Sequence, residues 1–303
     1  MRKRYLLIFM VLVLASATAS CTSDKPKVYA DSPTDGERKS IVFGDLSVEH
    51  EYYEAAVLDD PECVDYIREM RIRDEEIGAQ FVVHVSLPPD YSEGVSYPTV
   101  VMTDGIWRLT EHTGLRKMMK DGQIRELILV SIGYPDGYDY MTLRDRDLYK
   151  DPESFLHFIV DNLVPILSEN YSVDPRDMTL TGHSNGGYFA FYALFQRDTI
   201  GKNIFRNYLV GSPALAARTD GKSMDDFERE YFARKQTLDA RVCVTVGEWE
   251  PVDFTRRIDD FVRTVDARLY PGLSLTYDVL EKQTHTTSFK PAIDRAMLMF
   301  YGT

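Results

Sequence analysis

The stretch Met178–Gly187, with the sequence MTLTGHSNGG, carries the residues best suited to chemistry. Ser184 lies between Gly182 and Gly186 in a G-x-S-x-G pattern, after alternating apolar residues and before an apolar run with helical spacing. This order predicts a nucleophile elbow, in which a strand breaks into a tight turn and then a helix, and the serine hydroxyl is exposed above the sheet. The two glycines allow the sharp bend and the close packing of the helix. Ser184 is therefore the predicted nucleophile.

A serine hydroxyl is a weak nucleophile and needs an oriented base. In chains with an elbow of this kind, the two remaining triad residues follow the serine in sequence, first the acid and then the histidine. Of the six histidines, His285 is the one downstream of Ser184, in the polar segment 281–287 between the last predicted strand and the last predicted helix. A loop in that position can reach over the carboxyl edge of the sheet. His285 is the predicted base.

The acid is expected after the predicted strand that ends at Gly247, where three carboxylates follow. Pro251 forces the preceding Glu250 into an extended conformation, which suits a fixed orienting group. We therefore favour Glu250, and Asp253 and Glu248 remain alternatives. Asp253 is equally well explained as an N-terminal cap of the following helix, and each of the three could be a surface charge.

Acyl transfer also requires donors for the oxyanion. The backbone N–H of Asn185, next to the nucleophile, and that of Ile106, just after the strand Tyr97–Met102, are the predicted pair. Around the mouth of the site we expect side chains that contact the substrate, namely Trp107, Arg144, Arg146 and Trp249, with Lys150 adding to a local basic patch.

Alternating strand and helix patterns surround these residues. The hairpin 64–88, turned through residues 74–78, precedes nearly continuous apolar strand patterns at 97–102 and 127–132, which suit buried strands, and further strands at 208–211, 241–247 and 273–280. Amphipathic helix patterns cover 153–171, with a kink predicted at Pro165, then 254–269 and a closing helix after Pro291. This alternation predicts a doubly wound, mostly parallel α/β sheet with an N-terminal antiparallel hairpin.

Composition excludes several functions. A chain of 303 residues with 44% apolar content accommodates one large α/β domain as well as two small ones. The formal net charge of −13 argues against a nucleic-acid partner. No H-E-x-x-H and no paired C-x-x-C pattern is present, so neither a metal nor another cofactor is predicted.

The N-terminus resembles a targeting segment. Residues 1–20 combine a basic start, a short apolar run and small residues. The apolar run is too short to span a bilayer as a helix of the mature protein. The sequence before Cys21 resembles a bacterial lipoprotein signal, so we expect Cys21 to be lipidated and residues 21–40 to tether a single domain, 41–303. Ordinary secretion with nearby cleavage is the alternative; in both cases the protein is exported.

A resemblance to a known family extends over about residues 65–303. The segments SLPPDYSEGVSYPTVVMTDG, ESFLHFIVDNLVPILSENYSVDPRDMTLTGHSNGG and VGEWE, with the late His285, resemble the putative-esterase family of α/β-hydrolases. That family includes enterochelin, feruloyl and acetyl xylan esterases, S-formylglutathione hydrolase and mycolyltransferases. The resemblance implies an α/β-hydrolase fold with Ser184 as nucleophile, His285 as base and Glu250 as acid. Two departures are Asn162 in place of the usual glutamate and a glutamate as the acid where several members have aspartate.

These observations predict a secreted or lipid-anchored serine esterase that forms an acyl-enzyme. Acylated carbohydrates or feruloyl and aryl esters rank first as substrates, because a strongly acidic enzyme would repel a polyanionic ferric siderophore unless Arg144, Arg146 and Lys150 line the mouth. An enterochelin-type trilactone is the alternative substrate. A lipid-anchored binding protein without turnover is the alternative of another class, although Ser184 and His285 are both present.

Overall fold

The computed structural model describes residues 66–74, 77–135 and 139–303, together with the backbone of residues 40–43. The predicted signal segment, Cys21 and all of the tether except its last residue lie outside these ranges. Among the described residues no helix has the length and apolar content to cross a membrane. The same residues contain no cluster of side chains arranged to hold a metal ion.

A nine-stranded sheet forms the centre of the described part of the chain, in the order β1-β2-β3-β5-β4-β6-β7-β8-β9. The predicted hairpin is present, since β2 pairs antiparallel with β3 from Ile67↔Ser86 to Asp74↔Ala79. From β5 onward each pair is parallel, which confirms the mostly parallel sheet with an antiparallel N-terminal part. The strands are β1 Ser40–Phe43, β2 Ile67–Asp74, β3 Ala79–Ser86, β4 Tyr97–Met102, β5 Ile128–Gly133, β6 Val173–His183, β7 Phe205–Gly211, β8 Ala240–Gly247 and β9 Leu273–Leu280.

Helices cover both faces of this sheet, as the continuous apolar runs of β4 and β5 require. Alternate residues of one strand face opposite cores: Val101 packs in the larger apolar cluster, and Val100 and Met102 in the smaller one formed with α1 and α8. The helices are α1 Leu109–Lys120, α2 Tyr140–Asp145, α3 Pro152–His157, α4 Val164–Asn170, α5 Asn185–Phe195, α6 Met224–Arg234, α7 Val252–Ala267 and α8 Phe289–Tyr301.

The predicted helix 153–171 contains a change of helical pitch. A π-helical segment, Phe158–Leu163, separates α3 from α4 and ends just before Pro165, where a kink was predicted. Proline cannot donate the hydrogen bond of a regular helix and crowds the preceding turn, and a wider turn accommodates both effects. Pro291 lies inside the first turn of α8, where a missing N–H costs little. The closing helix therefore begins at Phe289, before the predicted position.

Parallel pairing brings the carboxyl ends of successive strands to one edge of the sheet. The turn after β4 is fixed beside the end of β6, where Thr103 N–H donates to the Thr181 carbonyl at 3.1 Å. The ends of β7, β8 and β9 follow in order along the same edge. Ligands of open α/β sheets bind at this edge.

Candidate active site

Ser184 is the single residue between the end of β6 and the start of α5, in the strained turn that the motif predicts. Its backbone has φ 60° and ψ −116°, a conformation that L-residues rarely adopt. A Cβ on Gly182 would lie 2.0 Å from the Gly186 carbonyl oxygen, and one on Gly186 would lie 2.3 Å from Thr103 Oγ1. Both positions therefore have no room for a side chain, and the turn depends on the two glycines.

His285 and Glu250 form a direct pair. The Nδ1 of His285 lies 2.7 Å from Oε2 of Glu250, whose side chain is fully buried. The other oxygen, Oε1, accepts from the Ser212 hydroxyl at 2.5 Å and from the Gly247 N–H at 2.8 Å. Burial by itself would raise the pKa of Glu250, but the hydrogen bonds from His285, Ser212 and Gly247 outweigh it and lower the pKa. Glu250 is thus an ionised acceptor that holds one nitrogen of His285.

Ser184 and His285 line the same pocket, although no hydrogen bond joins the Ser184 hydroxyl to the ring among the described residues. Nucleophile and base commonly stand apart in this way until a substrate closes the site. With Nδ1 held by Glu250, Nε2 is the nitrogen left to exchange a proton with the serine.

The two alternative acids are placed elsewhere. Glu248 accepts from the Lys282 N–H at 2.7 Å, and it does not contact His285. The side chain of Asp253 is 94% exposed and pairs with Arg256 at 2.9 Å in the first turn of α7, where it makes no capping hydrogen bond. Of the three carboxylates, Glu250 is the one that the structure brings to His285.

The predicted oxyanion donors lie on the two elements that flank the serine. Asn185 is the first residue of α5, where backbone N–H groups lack partners within the helix. Ile106 lies in the 3₁₀ turn Gly105–Trp107, which follows the end of β4. Because β4 and β6 are neighbours, both N–H groups belong to turns on the same edge of the sheet. The assignment of these two donors stays a prediction.

A pocket of about 550 Å³ opens over Ser184 and His285. Three cationic side chains and one carboxylate, Glu111, contribute to its lining, and Trp107 stands at its rim with 42% of its surface exposed. The full lining consists of Trp107, Arg108, Thr110, Glu111, Arg144, His183, Ser184, His285, Thr286, Thr287, Phe289 and Lys290.

Comparison with known proteins identifies the family. Residues 75–250, more than half of the chain, match the family model described as putative esterase. The chain belongs to this esterase family. Over an alignment of 230 positions, which covers 67% of this esterase and 76% of the relative, it is 25% identical to the ferri-bacillibactin esterase BesA of Bacillus subtilis (strain 168). The protein is therefore an ester hydrolase.

Solved structures confirm the α/β-hydrolase fold of the esterase. The BES protein from Bacillus cereus is 19% identical, with a TM-score of 0.69, and the match covers 78% of this chain and 97% of that one. Siderophore hydrolase EstA from Aspergillus nidulans is 18% identical, with a TM-score of 0.64 over 79% of this chain and 95% of that one. At these identities the likeness concerns the fold.

Only some of the residues predicted to contact the substrate line the pocket over Ser184. Trp107 and Arg144 line the pocket, but Arg144 is buried and held by Asp104 through Nε at 2.5 Å and Nη2 at 3.2 Å. Arg146 forms two hydrogen bonds with Asp147, at 2.6 and 3.0 Å, and is not part of the pocket lining. Trp249 is 62% exposed and also lies outside the lining.

Lys150, the third member of the predicted basic patch, pairs with Asp145 at 3.7 Å and is likewise absent from the pocket lining. The cations that line the pocket beside Arg144 are Arg108 and Lys290, which sequence reasoning did not single out. Nothing distinguishes these two from other arginines and lysines of the sequence until α1 and α8 are placed beside the elbow.

Sequence reasoning also missed the residues that support the site. Asp104 adopts φ 63° just before the 3₁₀ turn Gly105–Trp107. Its carboxylate accepts hydrogen bonds from Arg144 and, at 3.2 Å, from the hydroxyl of Tyr140. Ser212, with φ 39°, donates to Glu250 from the end of β7. A polar residue within two positions of the end of a predicted strand is the one signal that both share, and it is too common to select them.

Proposed function

We propose that this esterase hydrolyses an ester bond in the backbone of a siderophore. The observation that carries the proposal is the similarity to the ferri-bacillibactin esterase of Bacillus subtilis. Siderophore hydrolases also share the fold. This choice of substrate reverses the ranking drawn from composition, in which carbohydrate and aryl esters came before siderophores.

The pocket supports an anionic, aromatic substrate despite the net charge of −13. Arg108, Arg144 and Lys290 line it together with one carboxylate, Glu111. Each of these cations also pairs with a carboxylate of the protein: Arg108 with Glu111 at 3.6 Å, Arg144 with Asp104 and Lys290 with Asp294. An anion in the pocket would therefore meet cationic hydrogen-bond donors near Ser184 whose charge is partly neutralised. The exposed ring of Trp107 offers a surface on which a catechol ring can stack. A neutral acylated sugar would use neither feature.

Ser184, His285 and Glu250 would carry the reaction. The Ser184 hydroxyl passes its proton to Nε2 of His285 as Oγ attacks the ester carbonyl carbon, and the N–H groups of Asn185 and Ile106 stabilise the oxyanion. His285 then gives that proton to the leaving alkoxide, which leaves an acyl-enzyme. A water molecule loses a proton to His285 and attacks the acyl carbon, and the returned proton restores the serine as the acid departs.

A comparison of substrates tests this proposal. Wild type, Ser184→Ala and His285→Ala are given a ferric catecholate trilactone, its iron-free form, aryl esters of acetate and ferulate, and acetylated xylan, with products identified by mass spectrometry. We expect the trilactone to be opened with the highest kcat/KM and Ser184→Ala and His285→Ala to lose about 10⁴-fold or more. A higher kcat/KM for xylan or feruloyl esters would replace the siderophore by the alternative substrate.

The same experiment addresses the binding-protein alternative. A fluorophosphonate that labels wild type but not Ser184→Ala would report an activated serine, as expected for an enzyme. Tight binding of the trilactone without labelling and without any turnover would favour a binding protein.

We also propose that the esterase is exported and anchored through Cys21. The basic start and apolar run of residues 1–20, which end directly before this cysteine, support the proposal. Because the intervening segment is polar, we expect Cys21→Ser to move the protein from the membrane fraction to the soluble fraction with unchanged specific activity. Identical fractionation of mutant and wild type would contradict the anchor.

A further inference from the structure

His183, the residue before the nucleophile, contacts the proposed base, His285. It is the last residue of β6, its side chain is buried, and its Nε2 lies 2.7 Å from the backbone carbonyl oxygen of His285. The two imidazole rings also face each other, with centroids 4.8 Å apart. The nucleophile's neighbour is therefore joined directly to the residue that must exchange a proton with that nucleophile.

The hydrogen-bonding groups fix the direction of this contact. A carbonyl oxygen can only accept, so Nε2 of His183 carries the proton. Nδ1 of the same ring is buried with no hydrogen-bond partner among the described residues, and it lies against Gly211, where a Cβ would come within 3.1 Å. Burial, followed by the charges of His285 and Arg108, lowers the pKa of His183 to about 3. The ring is therefore neutral and holds a single tautomer at neutral pH.

The loop that carries His285 is held by hydrogen bonds on both sides of that residue, and the Thr284 carbonyl accepts from the N–H groups of Thr287 and Ser288 at 3.3 and 3.1 Å. The His285 carbonyl also accepts from Ser288 Oγ, at the longer distance of 3.3 Å. At the start of the loop the Trp249 N–H donates to the Gln283 carbonyl at 2.9 Å. Glu250 fixes the ring of His285 through Nδ1, but a ring held at one atom can still move with its backbone. His183 holds that backbone through the shorter of the two hydrogen bonds to the His285 carbonyl, while the ring of Phe254 contacts the His285 ring edge-on with centroids 5.4 Å apart.

We propose that His183 is a positioning residue, whose Nε2–H bond to the His285 carbonyl sets the distance between the base and Ser184. The proposal rests on the serine-esterase chemistry proposed above but not on the identity of the substrate. Since Ser184 follows His183 directly in the chain, the bond links the backbones of nucleophile and base through one side chain. Loss of the bond would leave binding intact and misplace the base, and a displacement of about 1 Å can cost on the order of 10²-fold in rate.

Three substitutions of His183 separate the donor from the ring. His183→Phe keeps a ring of similar size but cannot donate, His183→Gln offers an amide N–H near the position of Nε2, and His183→Asn offers one near Nδ1 instead. With a p-nitrophenyl ester we expect His183→Phe and His183→Asn to lower kcat by about 10- to 100-fold with KM within about threefold of wild type. His183→Gln should recover kcat to within about fivefold of wild type.

His112 provides a matched control. It too is a buried histidine with a pKa lowered to about 3 by burial, then by His84; its Nε2 lies 3.0 Å from the Ser131 hydroxyl, and its Nδ1 has no partner among the described residues. It does not line the pocket over Ser184. We expect His112→Phe to lower the melting temperature as much as His183→Phe does while kcat stays within about twofold of wild type.

The proposal is overturned if His183→Phe turns over within threefold of wild type, or if the Gln and Asn variants lose the same amount of kcat. Should His183→Phe fail to fold, the difference in kcat between His183→Gln and His183→Asn tests the proposal by itself. Ser184→Ala, assayed in parallel, tests the proposed chemistry separately: its full activity would refute the serine mechanism, whereas an unimpaired His183→Phe with an inactive Ser184→Ala would refute the positioning role only. The aryl ester makes both results independent of whether siderophores are substrates.

Discussion

At the scale of single residues, both oxygens of the acid accept hydrogen bonds near the base. One oxygen of Glu250 receives His285 Nδ1, and the other receives Ser212 and the Gly247 N–H. The first bond favours the tautomer of His285 with Nε2 free, and the charge stabilises the imidazolium that forms in the reaction. The other two bonds hold the carboxylate where burial alone would destabilise its charge.

Replacement of this carboxylate tests that description. We expect Glu250→Gln to lower kcat by about 10² to 10⁴ with little change in KM, since the amide keeps the shape but loses the charge and the tautomer preference. Glu248→Gln and Asp253→Asn, in which a neighbouring carboxylate is changed in the same loop region, should each cost less than about tenfold. A damaging Asp253→Asn beside a near-normal Glu250→Gln would contradict the assignment of the acid.

Buried neutral histidines also predict how stability depends on pH. The pKa values of His112 and His183 are lowered from 6.5 to about 3 in the folded protein, in both cases chiefly by burial. The unfolded chain thus binds more protons between these values, so this contribution to the free energy of unfolding is present above about pH 6.5 and is lost as pH falls towards 3. Each histidine should contribute a slope of at most about 1.4 kcal/mol per pH unit.

Urea titrations at pH 7.5, 6.5, 5.5 and 4.5 measure this slope. His112→Phe should show a shallower fall than wild type below pH 6.5, because one of the two proton-binding differences is gone. Parallel curves for the two proteins would show that His112 does not remain neutral in the folded state.

The motif and the order of serine, acid and histidine predicted Ser184 and His285 but left the acid among three carboxylates, of which Glu250 was favoured; the structure places His285 against Glu250 and in the same pocket as Ser184. Sequence order did not reveal His183 and Ser212, because their partners lie 102 and 38 positions away in sequence and become neighbours only when the strands are ordered. His183 was visible inside the motif, but no pattern in the sequence indicates that its ring reaches another loop. Arg144, predicted at the mouth, is instead tied to Asp104, an ion pair that spacing alone does not indicate.

At the scale of elements, the strands were easier to predict than the pitch of the helices. Strands β4 and β9 have the bounds that the sequence predicts. A nearly continuous apolar run specifies β4, which is buried throughout, whereas β9 lies at the edge of the sheet and is mostly half-buried or exposed. The π-helical segment before Pro165 was not predicted. Periodicity averaged over the whole stretch does not resolve one wider turn.

The elbow gives an element-scale prediction. Gly182→Ala should destabilise the protein by at least about 3 kcal/mol, because the new Cβ would meet backbone atoms that cannot move without breaking α5. Gly122→Asn is the control: Gly122 has φ +68° with no atom within 4 Å of a Cβ, and asparagine tolerates this conformation. Thermal unfolding should show little change for the control, and equal losses in the two variants would contradict the role of close packing at the elbow.

At the scale of the whole molecule, the net charge is negative, while most of the charged side chains that line the pocket are cationic. The chain carries −13, whereas the pocket lining has three cations and one carboxylate. The field of the whole molecule acts over longer distances and slows the approach of an anion, and at 0.1 M salt it is screened beyond about 10 Å. The cations within the pocket act after entry.

A salt titration separates these two effects. Between 20 and 200 mM NaCl we expect kcat/KM for an anionic ferric catecholate to rise by roughly two- to fivefold, as screening removes the long-range repulsion. A neutral p-nitrophenyl ester provides the control and should change by less than about 1.5-fold. A fall in kcat/KM for the anion would show that attraction by Arg108, Arg144 and Lys290 dominates from the encounter onward.

The backbone of Ser184 has a thermodynamic consequence for the whole fold. A non-glycine residue held at φ 60° and ψ −116° costs about 1–3 kcal/mol, which the rest of the structure must offset. Ser184→Ala keeps the Cβ and hence the strain, whereas Ser184→Gly relieves it at an entropic cost of about 0.5–1 kcal/mol. Calorimetry should therefore find the glycine variant more stable than the alanine variant by about 1 kcal/mol, although both are inactive; equal melting temperatures would show that the turn is not strained. If the glycine variant is the more stable one, the esterase gains stability when it loses its nucleophile. Selection for activity then keeps this chain below the stability that its fold could reach.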